Sequence, residues 1–525
     1  MTELHWRAAT DTGSYDDTAL ISVGQGAVHL RTDLPAGTLE NAVATLSWPM
    51  AENEKIFMNG YQTWTECPEL PKWGRQRGTD HIPKFLLDKY AFDRYGDYHF
   101  VRYSKRNGMS HGFSYCYFRR GEHYRLVASL DETPGYTIFY YDAKAAVLRI
   151  ERDCAGVCHG GSVFAAFDLF FAEGSEDEVF DAWFAALGCR PRTTKKLAGY
   201  SSWYNRYQNI DEASILEDLQ GCRALFKPGD LFQIDDGWEA KVGDWLETDP
   251  AKFPHGLRPL ADAAHESGFL TGLWLAPFVC EKESAVYRDH PDWLLQVNGQ
   301  PWCCGSNWSS FYALDIDNPE VLDYLQTVFD RVLNDWGFDL VKLDFLYGAA
   351  TFGGASESRA ARMQRAMALL RTWCGDKLIL GCGVVDYCRI GCDVSLDWDD
   401  VWYMRLFHRE RVSTKQSIGN TVFRRQLNGR AYGSDPEVFF LREENCKLTP
   451  QQKDQLATVN ALFSGILLTS DMPSRYTLEM REQYAALRDL SAHTENICVD
   501  ADHDICIRYT LHGQEKTLVL EKKKL

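Results

Sequence analysis

Acidic side chains stand where apolar, strand-like runs of this chain end. Five such runs end in aspartate, at Asp235-Asp236, Asp344, Asp393, Asp435 and Asp471. One Asp at a strand end commonly belongs to a turn. The carboxyl ends of parallel strands, however, share one rim, so five such ends place carboxylates around a common cleft. Carboxylates accept strong hydrogen bonds from hydroxyl groups, and aromatic rings stack on sugar faces, so this rim predicts a carbohydrate site.

Two of these carboxylates suit glycoside hydrolysis, which needs one ionised carboxylate and one protonated carboxylic acid. Asp344 suits the ionised role, because Lys342 lies two residues upstream on the same strand face and a nearby cation favours the charged form. Asp393 suits the acid role, because it follows the β-like run YCRIGC close to a polar loop.

A divalent metal site is the alternative reading of a carboxylate-rich rim. The sequence has no His-x-x-x-His, no Glu-x-x-His and no calcium loop, and its Asp residues are scattered over several strands. We therefore expect neither a metal nor a cofactor. The pair Cys303-Cys304 is interpreted as structural or pocket-lining.

The elements that position these residues read as a parallel sheet with covering helices, because short apolar runs alternate with amphipathic stretches. Eight candidate strands follow one another at 198–205, 231–238, 269–278, 338–345, 377–383, 387–393, 430–437 and 466–471. This count predicts a (β/α)8 TIM barrel over residues 191–485. The link between the fifth and sixth strands is too short for a normal helix.

Two further domains are expected on either side of the barrel. Residues 1–190 contain aromatic runs such as HGFSYCYF and YTIFYYD separated by turn signals, which predict an N-terminal β-sandwich. A helix is predicted near its end, with Ser175 and Glu178 as a capping box and an apolar face of Val179, Ala182, Trp183 and Ala186. Residues 486–525 predict a short C-terminal β element.

Composition narrows the classes of partner. The chain has 525 residues, 45% hydrophobic and 25% charged, which indicates a soluble globular protein. Its formal charge of −18 argues against a nucleic acid or an anionic membrane surface as partner. Because no signal peptide or membrane-spanning run is recognisable, we expect a cytoplasmic location and mostly reduced cysteines. The oligomeric state is not readable.

Seven segments occur in an order that resembles a known family. They are SSWYN, QIDDGW with a following GDW, FPHGL, GLWLAPF, KLDF, CRIGCD and SDPEVFFLREEN. This pattern resembles glycoside hydrolase family 36, the bacterial α-galactosidases (melibiases), over roughly residues 25–485. The resemblance implies a retaining exo-glycosidase that removes terminal α-galactosyl residues from oligosaccharides such as melibiose or raffinose.

The resemblance also implies roles for individual residues. Asp344 would be the nucleophile and Asp393 the general acid/base, while Asp235 and Asp236 would bind the 4- and 6-hydroxyls of galactose. Further substrate contacts are expected at Lys342, Arg389, Trp203, Tyr204, Trp274, Cys382 and, reaching over from the sandwich, Trp64. Without the resemblance, Trp64 reads as a buried core residue of the sandwich.

One departure from the family pattern bears on specificity. After LGCG (380–383) the family usually has several more residues, whereas here GCGVVDYCRIGCD continues directly. The shorter loop predicts an altered cleft beside Cys382, with room for a substituent at the 2-position of the sugar. The alternatives are therefore an α-N-acetylgalactosaminidase, a transgalactosylase on the same scaffold, and a non-catalytic sugar-binding protein.

Overall fold

The structure is a computed structural model, and it describes residues 1–24, 26–79, 82–384, 394–396, 414–444, 446 and 448–521. The N-terminal strands, in chain order, are β1 (Thr2–Thr10), β2 (Gly13–Ile21), β3 (Gly26–Asp33), β4 (Gly37–Ser47), β5 (Lys55–Met58), β6 (Glu69–Pro71), β7 (Met109–Phe113), β8 (Tyr115–Arg120), β9 (His123–Ser129), β10 (Thr137–Asp142), β11 (Val147–Arg152), β12 (Cys158–His159) and β13 (Val163–Gly174). They form two antiparallel sheets, one in the order β2-β1-β4-β11-β10-β7 with β12 beside β4, the other in the order β3-β13-β9-β8-β5-β6.

Alternating side chains fill the space between these two sheets. In β1 the buried positions are Leu4, Trp6 and Ala8, which share one core with Phe118 and Phe171 of the second sheet. The period of two follows from the pleat, which turns successive side chains to opposite faces. The two sheets therefore pack face to face, as in a β-sandwich.

Two helices belong to this part, α1 (Lys84–Tyr90) and α2 (Glu176–Leu187). The predicted capping box of Ser175 and Glu178 is present at the start of α2. The predicted apolar face is partly wrong, because Ala182 and Ala186 are exposed. Large side chains fill the contact with the second sheet instead, and the buried residues of α2 are Val179, Phe180, Trp183 and Phe184.

The central part contains a sheet in which all paired strands are parallel. Its strands and those of its loops are β14 (Leu197–Ser201), β15 (Leu231–Ile234), β16 (Leu270–Leu275), β17 (Val279–Glu281), β18 (Gln296–Val297), β19 (Gln300–Pro301), β20 (Cys303–Gly305), β21 (Phe311–Ala313), β22 (Leu340–Leu343), β23 (Leu378–Gly381), β24 (Val394–Leu396), β25 (Gly433–Asp435), β26 (Val438–Phe439) and β27 (Ile466–Thr469). The parallel order is β25-β24-β23-β22-β16-β15-β14-β27-β26.

The two ends of this sheet come from one short piece of chain. Only Pro436 and Glu437 separate β25 from β26, which occupy opposite ends of the strand order. Proline cannot donate a ladder hydrogen bond, which accounts for the break between them. The central part is thus a TIM-like domain whose strands place their carboxyl ends at one rim.

Helices connect these strands, as the amphipathic stretches predict. They are α3 (Trp203–Arg206), α4 (Glu212–Arg223), α5 (Arg258–Glu266), α6 (Ala285–Asp289), α7 (Pro319–Asp330), α8 (Arg359–Cys374), α9 (Thr414–Phe423), α10 (Pro450–Phe463) and α11 (Leu478–His493). Short 3₁₀ segments lie at Phe92–Arg94, Pro291–Trp293, Leu346–Ala350, Arg425–Leu427 and Pro473–Arg475, and a π-helical turn at Arg331–Asp335 follows α7.

The C-terminal residues form a small antiparallel sheet of β28 (Thr494–Asp500), β29 (Ile505–Leu511) and β30 (Gln514–Leu520). The predicted boundary at residue 485 falls inside α11, which continues to His493. Among the described residues, no helix has both the length and the apolar character that crossing a bilayer requires.

Candidate active site

Asp344 directly follows β22 and is buried at the rim of the parallel sheet. Its Oδ2 accepts a 3.1 Å hydrogen bond from the indole N–H of Trp274, and its Oδ1 accepts one of 2.8 Å from the backbone N–H of Phe345. Phe345 has φ of 52°, in the left-handed region that residues other than glycine rarely adopt. The chain therefore turns sharply after the strand, and both carboxylate oxygens are held in place.

Lys342 pairs with Asp235 rather than directly with Asp344. Its Nζ lies 2.9 Å from Asp235 Oδ2 and 3.9 Å from Glu437 Oε1. Burial lowers the pKa of Lys342, but the charges of Asp235 and Glu437 outweigh burial and hold that pKa well above its ordinary value. Lys342 is therefore a buried, charged centre of the rim.

Lys342 favours the ionised form of Asp344, and burial opposes it. Burial raises the pKa of the Asp344 carboxyl, and the Lys342 charge and a hydrogen bond from the Cys382 thiol offset only part of that rise. The reason is that desolvation disfavours a charged carboxylate more than a cation committed to another acid can favour it. Asp344 therefore needs a higher pH to ionise than an exposed aspartate.

Asp235 and Asp236 directly follow β15, and both are buried. Asp235 Oδ2 accepts a 2.7 Å hydrogen bond from Gln233 Nε2 in addition to the Lys342 contact. Asp236 Oδ2 accepts hydrogen bonds from Gln208 Nε2 at 2.9 Å and from the indole N–H of Trp308 at 3.0 Å. Both carboxylates are thus oriented by neutral donors of known position.

Glu239 forms a buried acid pair with Asp236. Burial and the negative charge of Asp236 hold the pKa of Glu239 well above its ordinary value, and burial also raises the pKa of Asp236. Two carboxyl groups in contact share protons as a unit. The Glu239 carboxyl therefore holds its proton to higher pH than an exposed glutamate does, and it hydrogen-bonds to Asp236.

Aromatic rings form the walls around Asp344. The ring of Trp308 lies 6.0 Å from that of Trp274 and 5.2 Å from that of Phe345. Trp64, from the segment between β5 and β6, packs edge-on against Phe345 at 5.0 Å and against Tyr347 at 5.9 Å. The structure places Trp64 against the rim and not within the core of the sandwich.

The two predicted aromatic residues of α3 follow the end of β14. Tyr204 is buried against Phe440, and its carbonyl oxygen accepts a 2.7 Å hydrogen bond from Arg442. Trp203 is half-buried and packs edge-on against Tyr207. A role of Trp203 and Tyr204 in substrate binding stays a prediction.

Arg389 and Asp393 lie outside the described residues, as does the whole predicted strand at 387–393. The described strand in the sixth position of the sheet, β24, begins at Val394 and pairs with β23 with Leu380 opposite Val394.

The last two strand-end aspartates differ from each other. Burial raises the pKa of Asp435 to about 7, with Lys342 lowering it and Asp235 raising it, so Asp435 belongs to the rim cluster. Asp471 Oδ2 instead accepts hydrogen bonds from Tyr476 Oη at 2.9 Å and from backbone N–H groups at 2.6 and 3.2 Å. Asp471 therefore holds the local chain together.

Sequence reasoning missed several members of this group. Glu239 directly follows QIDDGW, and Gln208 lies three residues after SSWYN, so their positions next to these motifs could have indicated them. Trp308 had no such signal, because it lies in a loop with φ of 53° and is brought to Asp236 by the tertiary fold. Glu437 lies in the segment between β25 and β26, also with positive φ.

A separate group of described side chains has the spacing of a metal site. Asp489 and His493 of α11 and His512 of the β29–β30 turn have ligand atoms within 4.8 Å of one another. Asp489 Oδ2 lies 2.7 Å from His512 Nε2. These side chains pair with one another at the surface and connect α11 to the C-terminal sheet.

Comparison with known proteins shows a similarity that includes this rim. A family model described as Melibiase matches residues 200–370, which contain Asp235, Asp236, Lys342 and Asp344. TtGalA, an α-galactosidase from Thermus thermophilus in complex with p-nitrophenyl α-D-galactopyranoside, is 26% identical and has a TM-score of 0.71 over 93% of this chain and 98% of its own. The central part of this chain is thus similar to melibiases, and nearly the whole chain is similar to TtGalA.

Other melibiase relatives match over shorter stretches or at lower identity. An α-galactosidase of Lactobacillus acidophilus is 34% identical over 151 residues, which are 27% of this chain and 20% of that protein. An α-galactosidase of Escherichia coli is 31% identical over 182 residues, which are 33% of this chain and 25% of that protein. The aligned part of this chain thus spans a quarter or less of the length of these two relatives.

The fold similarity extends further than the sequence similarity. The family 36 α-galactosidase AgaA of Geobacillus stearothermophilus is 14% identical, with a TM-score of 0.60 over 96% of this chain and 80% of its own. At that identity the similarity concerns the fold alone. The similarity in fold therefore covers both the N-terminal sandwich and the TIM-like domain of this chain.

Proposed function

We propose that this protein is a retaining exo-α-galactosidase that hydrolyses terminal α-D-galactosyl residues of oligosaccharides. The observation that carries the proposal is Asp344, a buried carboxylate whose two oxygens are held by Trp274 and Phe345 beside the Lys342–Asp235 ion pair. Support comes from the similarity along nearly the whole chain to an α-galactosidase whose structure contains an aryl α-galactoside.

In the proposed reaction, Asp344 attacks the anomeric carbon of the bound galactosyl group. The bond from that carbon to the leaving oxygen breaks, and the leaving oxygen takes a proton from the general acid. Water then attacks the same carbon, gives a proton to the same residue and releases Asp344. Two inversions leave the α-configuration unchanged.

Galactose recognition is assigned to the two carboxylates after β15. Each has Oδ2 fixed by protein donors, so the Asp235 and Asp236 carboxylates cannot rotate freely when a sugar binds. Preorganised acceptors select hydroxyls by position, since an epimer leaves a buried polar group unpaired. We assign the axial 4-hydroxyl and the 6-hydroxyl of galactose to this pair.

The general acid/base is assigned to Asp393 on the family pattern. An alternative is Asp397, which follows Leu396, the last residue of β24, as Asp344 follows the last residue of β22. For Asp393→Ala we expect a much larger loss on substrates with poor leaving groups than on activated aryl galactosides, and rescue by azide as the α-configured azide. The same result for Asp397→Ala would move the role to that residue.

The architecture is proposed as a β-sandwich over residues 1–190, a closed (β/α)8 barrel and a C-terminal β element. Closure is supported by β25 and β26, which belong to one seven-residue stretch and occupy the two ends of the sheet. Because α11 ends at His493, we place the last boundary there.

The test of function combines a substrate panel with the stereochemistry of the product. Purified protein should release α-galactose first from an aryl α-galactoside, observed by NMR before mutarotation, and turn over the α-glucoside far more slowly. Equal or faster turnover of the α-N-acetylgalactosaminide would assign that specificity instead. Galactosyl transfer to concentrated sucrose would indicate a transgalactosylase, and absence of any turnover would contradict the proposal.

A further inference from the structure

We propose that Arg424 and Asn420, on the barrel side, are positioning residues that hold Trp64 of the N-terminal domain against the active-site rim. The proposal rests on the proposed function and on the position of Trp64 among the aromatic rings around Asp344. Neither residue belongs to the motifs that carried the resemblance.

Trp64 lies in a loop that leaves the sandwich after β5, at residues 59–67, here called the Trp64 loop. Its indole is only 9% exposed and contacts Phe345, the residue next to Asp344. A displacement of this loop would therefore move the Trp64 ring away from Phe345, which is next to the proposed nucleophile Asp344 in the sequence. A loop of this length needs fixed anchors to hold one side chain in place.

Arg424 supplies most of these anchors. Its side chain is fully buried and donates from Nη1 to Thr63 O at 2.9 Å, from Nη2 to Gln62 O at 3.1 Å and from Nε to Asn59 Oδ1 at 3.2 Å. Nη2 also lies 3.0 Å from Cys67 Sγ. One planar guanidinium thus binds both ends of the Trp64 loop and the two residues just before the tryptophan.

Asn420 lies in α9, and Arg424 directly follows that helix, with its backbone N–H donating to Asn420 O at 2.9 Å. Its Nδ2 donates to Thr65 O at 3.0 Å, and its Oδ1 accepts from the backbone N–H of Cys67 at 2.8 Å. The side chain is 1% exposed. Asn420 therefore fixes the residue directly after Trp64, as Arg424 fixes the residue directly before it.

A third contact joins the Trp64 loop to the end of β23. The backbone N–H of Gly383 donates to Thr63 Oγ1 at 3.0 Å, and the N–H of Thr63 donates to Val384 O at 3.2 Å. Gly383 has φ of 56°, and a Cβ there would lie 3.1 Å from the Trp64 ring. The ring thus fits a space that only glycine leaves open.

Arg424 and Asn420 should affect catalysis only through the position of Trp64. Removal of the Arg424 guanidinium should therefore lower kcat/KM only while Trp64 is present. This is a coupling between two neighbouring groups that a double-mutant cycle measures.

The experiment compares Arg424→Met, Trp64→Ala and the double variant with the wild-type protein. Arg424→Met should raise KM and lower kcat/KM on an aryl α-galactoside by about 10- to 100-fold, the scale of small misplacements of a site wall. In a Trp64→Ala background the same change should have little further effect. Full additivity of the two losses in kcat/KM would overturn the proposal.

Arg152→Met is the matched control. Arg152 is also buried and donates to backbone oxygens, those of Asp131, Gly135 and Ala166, but within the sandwich. Its substitution should lower the free energy of unfolding without coupling to Trp64. If Arg424→Met does not fold, Asn420→Ala, which keeps the guanidinium, should give a smaller effect with the same coupling.

A readout independent of activity separates this proposal from the proposed function. Hydrogen exchange of peptides covering residues 59–67 should become faster in Arg424→Met and stay unchanged in Arg152→Met, whether or not the protein cleaves galactosides. Unchanged protection of these residues in Arg424→Met would overturn the positioning role. Loss of protection with no activity in the wild type would overturn the proposed function alone.

Discussion

Asp344 and Asp471 occupy similar places in the sequence pattern and different places in the chemistry. Both follow strands of the parallel sheet, both are buried, and burial raises the pKa of both. Asp344 has side-chain donors from an indole and a thiol in an aromatic-walled rim. Asp471 binds Tyr476 and the backbone of Leu441 and Arg442.

Burial and a position at a strand end are therefore not sufficient to make an aspartate catalytic. The location of the partners differs. Asp471 accepts from the backbone of Leu441 and Arg442 and so joins two segments of chain. Asp344 accepts from the indole of Trp274 on the neighbouring strand, among the aromatic side chains of the rim. Four pairs of substitutions test this contrast between the two aspartates and their surroundings.

The largest difference is expected between Asp344→Asn and Asp471→Asn. The first should lower kcat on an aryl α-galactoside by roughly 10⁴-fold or more, since it removes the proposed covalent nucleophile. The second should lower the free energy of unfolding by about 1–3 kcal/mol and leave kcat per folded molecule unchanged. Steady-state kinetics and urea unfolding measure both. Similar kcat losses in the two variants would contradict the contrast.

A smaller difference is expected between the cations near the two aspartates. Lys342→Met should lower kcat/KM by roughly 10²-fold, the scale of removing one fixed electrostatic group from a site. Because the Lys342 charge lowers the pKa of Asp344, its loss should move the acidic limb of the pH–activity profile to higher pH. In Arg442→Met, which acts on Asp471, that limb should stay in place. A shift with Arg442→Met as large as that with Lys342→Met would refute the assignment.

The ionisation of Asp435 should make the free energy of unfolding depend on pH. The pKa of Asp435 is about 7 in the folded protein, above the ordinary 3.8. The contribution of Asp435 to the free energy of unfolding is therefore fully present below about pH 4 and is lost as the pH rises through 7. Asp435→Asn should flatten this part of the unfolding profile. Glu132→Gln is the control in the sandwich, because burial raises the pKa of Glu132 to about 7 as well.

Each of these two substitutions should remove its own share of the pH dependence of unfolding. Only Asp435→Asn should also change the pH–activity profile, since Asp435 interacts with Lys342 and Asp235. Chemical unfolding and kinetics at pH values from 4 to 8 measure both. An altered activity profile in Glu132→Gln would count against the separation of rim and sandwich.

The smallest effects concern single donors to the two carboxylates. Tyr476→Phe removes the 2.9 Å hydrogen bond to Asp471 and should cost about 1 kcal/mol of unfolding free energy with unchanged kcat. Trp274→Phe removes the 3.1 Å bond to Asp344 and should lower kcat about tenfold. A lowered kcat in Tyr476→Phe, measured at equal folded fraction, would weaken the distinction.

Much of the architecture follows from local pattern. Apolar runs with turn signals predicted the strands at β14, β15, β16, β22, β23, β25 and β27, and the capping box at Ser175 gave the start of α2. The prediction of buried residues from local pattern was wrong where several apolar residues of a helix could face the sheet. The buried face of α2 uses Phe180 and Phe184, because the aromatic face of the second sheet leaves room for large rings.

The amino-acid sequence alone gives the strand ends that carry the candidate residues. Motifs and strand periodicity suffice to place Asp235, Asp236, Lys342 and Asp344 in or directly after their strands, since each position is set by its own strand. Only the tertiary structure decided their partners. It paired Lys342 with Asp235, 107 residues away, and brought Arg424 to the Trp64 loop across more than 350 residues. Such pairs depend on which strands and domains become neighbours, and no local spacing contains that information.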